Sequence, residues 1–134
     1  MEVEGLKKIF KIVGIIVLAL ILLFSGMFIY LSRNLDKLVE SSIEKIELSE
    51  LKDGTYIGEY SVHPVSATVE VKIEGGRIED ILLLDHGNGM GQPAEVIIED
   101  VVEDQSLDVD SISGATYSSR VILKAIEAAL LKAR

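Results

Sequence analysis

The sequence predicts an α+β fold: one membrane-spanning helix at the N-terminus, then a small domain in which an antiparallel sheet of three or more strands packs on two helices. Three observations carry this. Residues 12–32 contain no charge; residues 68–74 alternate apolar and polar side chains just before a Gly75-Gly76 pair; and two later segments, starting at Ala94 and Ile122, repeat apolar residues at i, i+3, i+4, i+7 and i+8.

A run of ~20 apolar residues covers roughly 30 Å as a helix, enough for a bilayer core. Residues 12–32 therefore read as an uncleaved transmembrane anchor, with residues 1–11 before it. A cleaved signal peptide would need a shorter apolar run, and Ser25-Gly26-Met27 is followed by further apolar residues. Lys7, Lys8 and Lys11 precede the run, while Arg33 and Lys37 follow it. Because orientation follows Lys and Arg, the N-terminus is expected in the cytoplasm and the soluble domain outside it, giving a single-pass cell-membrane protein.

Residues 33–52 place Leu35, Val39, Ile43 and Ile46 at near-helical spacing with Glu and Lys between them. An amphipathic juxtamembrane linker helix is expected there, serving as a spacer, with too few heptads for a coiled coil. The domain proper is expected over residues 53–134. Asp53-Gly54 punctuates the chain before a first strand at 56–62. Val69, Val71 and Ile73 alternate with polar residues in a second strand, Gly75-Gly76 supplies the positive φ of a tight hairpin, and residues 78–84 return as a third. Ile81-Leu82-Leu83-Leu84 is apolar on both faces, so this strand is expected between two layers.

Pro93 suits a first helical position, and Ala94, Ile97, Ile98, Val101 and Val102 form one stripe of a helix ending near Gln105. Ile122, Ala125, Ile126, Ala129 and Leu130 form the stripe of the last helix. Thr116 falls at or next to its start, with Ser118 or Ser119 placed to cap the first turn.

Composition removes several function classes. After the anchor, residues 33–134 hold ten Lys plus Arg against twenty Asp plus Glu, a net charge of −10, which argues against nucleic acid and anionic lipid surfaces. That acidity either keeps the domain soluble or suits a basic partner. With no cysteine there is no disulfide, thiolate catalysis or iron–sulfur ligation. The ~80 residues of the domain allow one small core. His63 and His86 stand far apart without ligand spacing, which makes a metal site improbable.

Two segments carry candidate chemistry. In Asp110-Ser111-Ile112-Ser113-Gly114-Ala115-Thr116 a threonine hydroxyl stands at the mouth of a helix N-terminus, where unpartnered N–H groups and the positive dipole end favour a phosphate. Ser-Gly-Ala-Thr alone also reads as a loop with a capping hydroxyl. Asp110, Ser119 and the small residues Gly114 and Ala115 shift the balance toward a site. In His86-Gly87-Asn88-Gly89-Met90-Gly91, three glycines let backbone approach a flat ligand or simply connect a strand to a helix, and the Lys and Ser/Thr of a P-loop are missing.

Asp-x-x-Ser-Gly-Ala-Thr-x-x-Ser, here Asp110 to Ser119, resembles the flavinylation motif of FMN-binding domains, which occur in the C subunit of sodium-pumping NADH:quinone reductase, the G subunit of the Rnf complex and small membrane-anchored relatives. Asp53-Gly54-Thr55-Tyr56-Ile57-Gly58 is similar to that family's opening strand, and Gln105-Ser106-Leu107-Asp108-Val109-Asp110 to the lead-in of its small members. The chain departs from the large subunits' Thr-Pro-Gly-x-Gly loop, reading His86 to Pro93 there. The resemblance implies FMN joined through its phosphate to Thr116 by a separate flavin transferase that uses FAD and magnesium. It implies that the loop of His86, Gly87, Asn88, Gly89, Met90 and Gly91 lines the flavin ring. His86 then either hydrogen-bonds the isoalloxazine or is a polar surface residue, Tyr117 stacks on the ring or packs at the helix start, and Ser113 holds the phosphate or closes the turn. Asp110 is expected to serve recognition by the transferase or ordering of the loop, since the transferase brings its own base.

The function so implied is a membrane-anchored, extracytoplasmic electron carrier, not a stand-alone enzyme, that exchanges electrons with redox partner proteins in the membrane or outside it. Two alternatives stand beside it. One is a noncovalent phosphate-ligand or flavin-binding sensor module. The other is a flavin-dependent reductase with its own substrate, which would need acid–base residues beside the ring.

Overall fold

The computed structural model describes residues 1–87 and 91–134 and divides into two compact units, Met1–Asn34 and Leu35–Arg134. Helix α1, Glu2–Glu40, supplies the first unit from its second residue on and the opening of the second unit. Within Met1–Asn34 every large apolar side chain from Leu6 to Tyr30 is exposed. A helix satisfies its own backbone polar groups, so an apolar exterior of this kind suits hydrocarbon, and α1 is long and apolar enough to cross a membrane.

The second unit is built on three antiparallel strands in the order β1 (Gly54–Val62), β2 (Val65–Glu74) and β3 (Arg77–Gly87). Asp53 anchors the entry to β1, its carboxylate accepting the Gly75 N–H at 2.9 Å. Gly75 and Gly76, at φ +60° and +72°, make the two-residue turn between the paired residues Glu74 and Arg77. A short 3₁₀ turn, Gln92–Val96, leads into α2, Ile97–Asp104. Gln105 ends α2 in the left-handed region at φ 50°, and its side-chain amide pairs with both backbone groups of Ile78, N–H at 2.8 Å and C=O at 2.9 Å. This closes the start of the β3 edge as a neighbouring strand would.

Helix α3, Thr116–Lys132, lies on one face of the sheet against β1 and β2. All five residues of its expected stripe are buried, together with Val65, Ala67, Val69, Val71, Ile73, Ile78 and Ile81 from the strands. Gly58 sets how close the layers come: a Cβ there would lie 2.0 Å from the Ala125 carbonyl oxygen and 2.8 Å from the Ala129 Cβ.

Two expectations are corrected. The third strand is not enclosed between layers: Ile81 is buried, but Leu82 and Leu84 are 54% and 47% exposed. Val69 pairs with Leu83 while Thr68 pairs with Asp85, so Leu84 is the extra residue of a bulge, and Leu82 stands beside Glu70 on the face that α3 does not cover. The linker helix also stops at Glu40 instead of running to residue 52. Ser41 closes it, its hydroxyl donating to the Leu38 carbonyl at 2.6 Å. Beyond, α3 supplies the partners: Arg120 and Lys124 donate to the carbonyls of Ser41 and Ser42, and Glu127 accepts the Glu44 N–H at 2.6 Å. Ile43, Ile46 and Leu48 pack on the core, Leu51 is buried, and the Lys52 N–H reaches the Ala133 carbonyl at 2.8 Å. Residues 41–52 are therefore a strap along α3, inside the folded unit.

Gly58→Ala should destabilise the domain by about 1–3 kcal/mol through overpacking, because the two nearest atoms in the way are backbone. Chemical denaturation of variant and parent would show it as a lower midpoint.

Candidate functional site

The site grows from the loop between α2 and α3. The Ala115 N–H donates to the Ile112 carbonyl at 3.0 Å across Ser113 and Gly114, and Gly114 sits at φ +77°. A positive φ at the third position of such a turn is what a glycine supplies without strain. Ser119 fixes the turn from below: its fully buried hydroxyl accepts the Ile112 N–H at 3.0 Å and donates to the Ala115 carbonyl at 2.8 Å.

That arrangement corrects the expected cap. Neither Ser118 nor Ser119 caps α3; both are buried, and the helix starts after Ala115 with no side-chain cap. The reason is position. Ser119 lies in the helix, where a side chain leans back toward the preceding turn and bonds the i−4 carbonyl. The first N–H groups of a 17-residue helix are thus left for an outside acceptor, at the positive end of its dipole.

Thr116 is the first helical residue and is exposed, as are Asp110, Ser113, Gly114 and Tyr117, while Ala115 is buried beneath them. Nothing lies within 4 Å of where a Cβ on Gly114 would stand. Gly114, Thr116 and Tyr117 line a cleft of ≈ 550 Å³, whose other wall is Asp36, Val39 and Glu40 from the last turns of α1. Clefts of this size take ligands of a few hundred daltons. A larger cleft of ≈ 750 Å³ opens between residues 42–49 and 105–109, with Arg120 on its wall, but it contains neither Thr116 nor its turn.

His86 is placed differently from the surface reading. Opposite Ala67 near the end of β3, its side chain is only 3% exposed, and its Nδ1 lies 3.0 Å from Glu95 Oε1 on the 3₁₀ turn that follows the glycine segment. Gly87 packs against Ser66, where an added Cβ would come within 2.6 Å of the hydroxyl, and Gly91 is buried at an ordinary φ of −87°. Asn88, Gly89 and Met90 lie outside the described residues. Among the described residues, His86, Gly87 and Gly91 do not line the Thr116 cleft, although the turn that Glu95 sits on packs against α3.

Sequence reasoning missed Asp36, Val39, Glu40 and Glu95. Asp36 and Glu40 stand at i and i+4, a spacing that puts them on one helix face. That this face meets Thr116 is a tertiary fact. The α3 wall fits the phosphate of a flavin mononucleotide, with an uncapped helix end, an exposed hydroxyl and open space over Gly114.

A family model described as an FMN-binding domain matches residues 63–131, half of the chain. The chain is also 30% identical over 95 residues to an uncharacterized protein of Treponema pallidum (strain Nichols), an overlap of 69% of this chain and 26% of that protein. It spans about a quarter of that relative's length.

Ser119→Ala removes both hydroxyl bonds that brace the turn and leaves the half-buried Ile112 N–H without its partner, while the Ala115 carbonyl keeps the Ser119 N–H. A loss of about 1–3 kcal/mol is expected, with faster amide exchange at Ile112 as its local signature.

Proposed function

Because this chain belongs to the FMN-binding domain family, we propose that it is a membrane-anchored electron carrier whose FMN is held by a phosphoester bond to Thr116. The observation that supports this most is the placement of Thr116, exposed at the first position of an uncapped helix.

Each residue around it has a task in this reading. The α3 N–H groups and dipole hold the phosphate, Gly114 keeps the approach open, and Ser119 keeps the turn in place beneath it. Tyr117, on the rim of the same cleft, offers a face for ring contact, and Asp110 and Ser113 present the loop to the transferase. The flavin supplies the redox chemistry when bound, and the protein supplies position and environment. A covalent tether suits an extracytoplasmic domain in surroundings poor in free flavin, since a cofactor held only by helix-end electrostatics and ring contacts would dissociate.

The orientation follows the lysines: Lys7, Lys8 and Lys11 keep the N-terminus in the cytoplasm and the flavin domain outside. There it would meet the FAD- and magnesium-dependent transferase and redox proteins able to approach an acidic domain.

Coexpression with a flavin transferase followed by intact-mass measurement tests the reading. The parent chain should gain one FMN phosphoester, and Thr116→Ala should lose the increment while keeping its helical and sheet spectrum. An increment that survives Thr116→Ala after denaturation would remove Thr116 as the acceptor. His86→Ala should leave attachment intact and at most shift the flavin midpoint potential in a spectroelectrochemical titration. An unchanged potential would leave His86 as the structural partner of Glu95.

A further inference from the structure

The cleft at Thr116 has two walls of opposite character. On α3 stands the positive end of a helix dipole, and facing it stand Asp36 and Glu40. Both carboxylates are exposed, and among the described residues neither has an ion-pair partner; Arg33 and Lys37, three residues before each on α1, are not among the residues that line the cleft. A phosphodiester on Thr116 would be attracted by one wall and repelled by the other.

The acidic wall is also poorly placed for its own helix. Asp36 and Glu40 stand near the C-terminus of α1, where the dipole disfavours negative charge, and their i, i+4 repulsion is offset in part by Arg33 and Lys37, three residues before each. Little holds these turns down: Leu38 is the one buried residue in α1, Leu35 is partly buried, and Val39 is exposed. Their remaining ties are the Ser41 and Ser42 carbonyls, bonded to Arg120 and Lys124.

We propose that Asp36 and Glu40 are positioning residues that make the end of α1 a displaceable acidic wall, standing across the cleft from Thr116 before attachment and withdrawn from it once a phosphodiester occupies the helix end. The proposal rests on Thr116 being the flavin acceptor and adds how access to it is controlled. In the attachment step the Thr116 hydroxyl oxygen forms a bond to the flavin-side phosphorus of FAD. The pyrophosphate P–O bond breaks, adenosine monophosphate leaves, and the hydroxyl proton passes to a base on the transferase, with no change of oxidation state. The product places a new anion beside Asp36 and Glu40. Repulsion therefore slows attachment while the wall is closed, and favours the open wall afterwards.

The test uses the full chain in detergent micelles with transferase, FAD and magnesium, following attachment by intact mass. Asp36→Asn with Glu40→Gln keeps side-chain shape at two exposed positions and should raise the initial rate about 2- to 5-fold at low salt, the range expected for exposed charges. The ratio to parent should fall toward one near 1 M salt, where screening acts within about 3 Å. Hydrogen exchange over residues 35–44 should quicken on attachment, while exchange over α3 stays unchanged. A rate ratio at or below one, or exchange over 35–44 that does not change on attachment, overturns the proposal. If the parent chain gains no mass at Thr116, the acceptor assignment fails first, and the wall fails with it. The mass reading separates the two failures.

Discussion

Helix α3 approaches strand β1 until backbone meets backbone, and the second unit is arranged around that contact. Gly58 faces Ala125 and Ala129 with no room for a side chain between them. So close an approach lets Ile122, Ile126 and Leu130 reach the β2 side chains, and it fixes where α3 begins. Thr116 owes its position to packing about two and a half to three and a half turns further along the same helix.

The opposite flank of α3 is held by charge and backbone hydrogen bonds. Arg120, Lys124 and Glu127 recur along one side and receive the strap at Ser41, Ser42 and Glu44. Lys124 and Glu127 also pair with each other at 2.9 Å, so the mostly buried Glu127 carboxylate is compensated where it accepts the Glu44 N–H. Buried charge is tolerated when it is paired and hydrogen-bonded in this way. One helix thus organises three neighbours: the sheet through its apolar stripe, the strap through its polar side, and the loop before it through Ser119.

The Thr116 hydroxyl stands where a braced turn meets the sparsely buried end of α1. Below it the turn is fixed by the buried Ser119, and beside it the end of α1 is secured by Leu38 and two carbonyl contacts. The proposed attachment would use this combination, with the hydroxyl held for attack and one wall able to give way to the incoming group. The sheet's outer face is separate from this. Its exposed Ile57 and Leu82 flank Glu70 across the three strands, away from α3.

Local periodicity determined most of what was legible in the sequence. The stripes of α2 and α3, the alternation of β2, the Gly75-Gly76 turn and the uncharged run 12–32 each follow from spacing along the chain, which a helix or strand converts directly into faces. The motif from Asp110 to Ser119 pointed to Thr116 for the same reason, since its residues are neighbours in sequence. Only the tertiary structure decided the rest. Whether Leu82 and Leu84 were enclosed depended on which face α3 covers and on a bulge; where the juxtamembrane helix ended depended on α3 side chains about eighty residues away. The acidic wall of the cleft and the Glu95 partner of His86 likewise arise from contacts between segments that no periodic pattern relates, because the energy that joins them comes from packing and charge compensation across the fold.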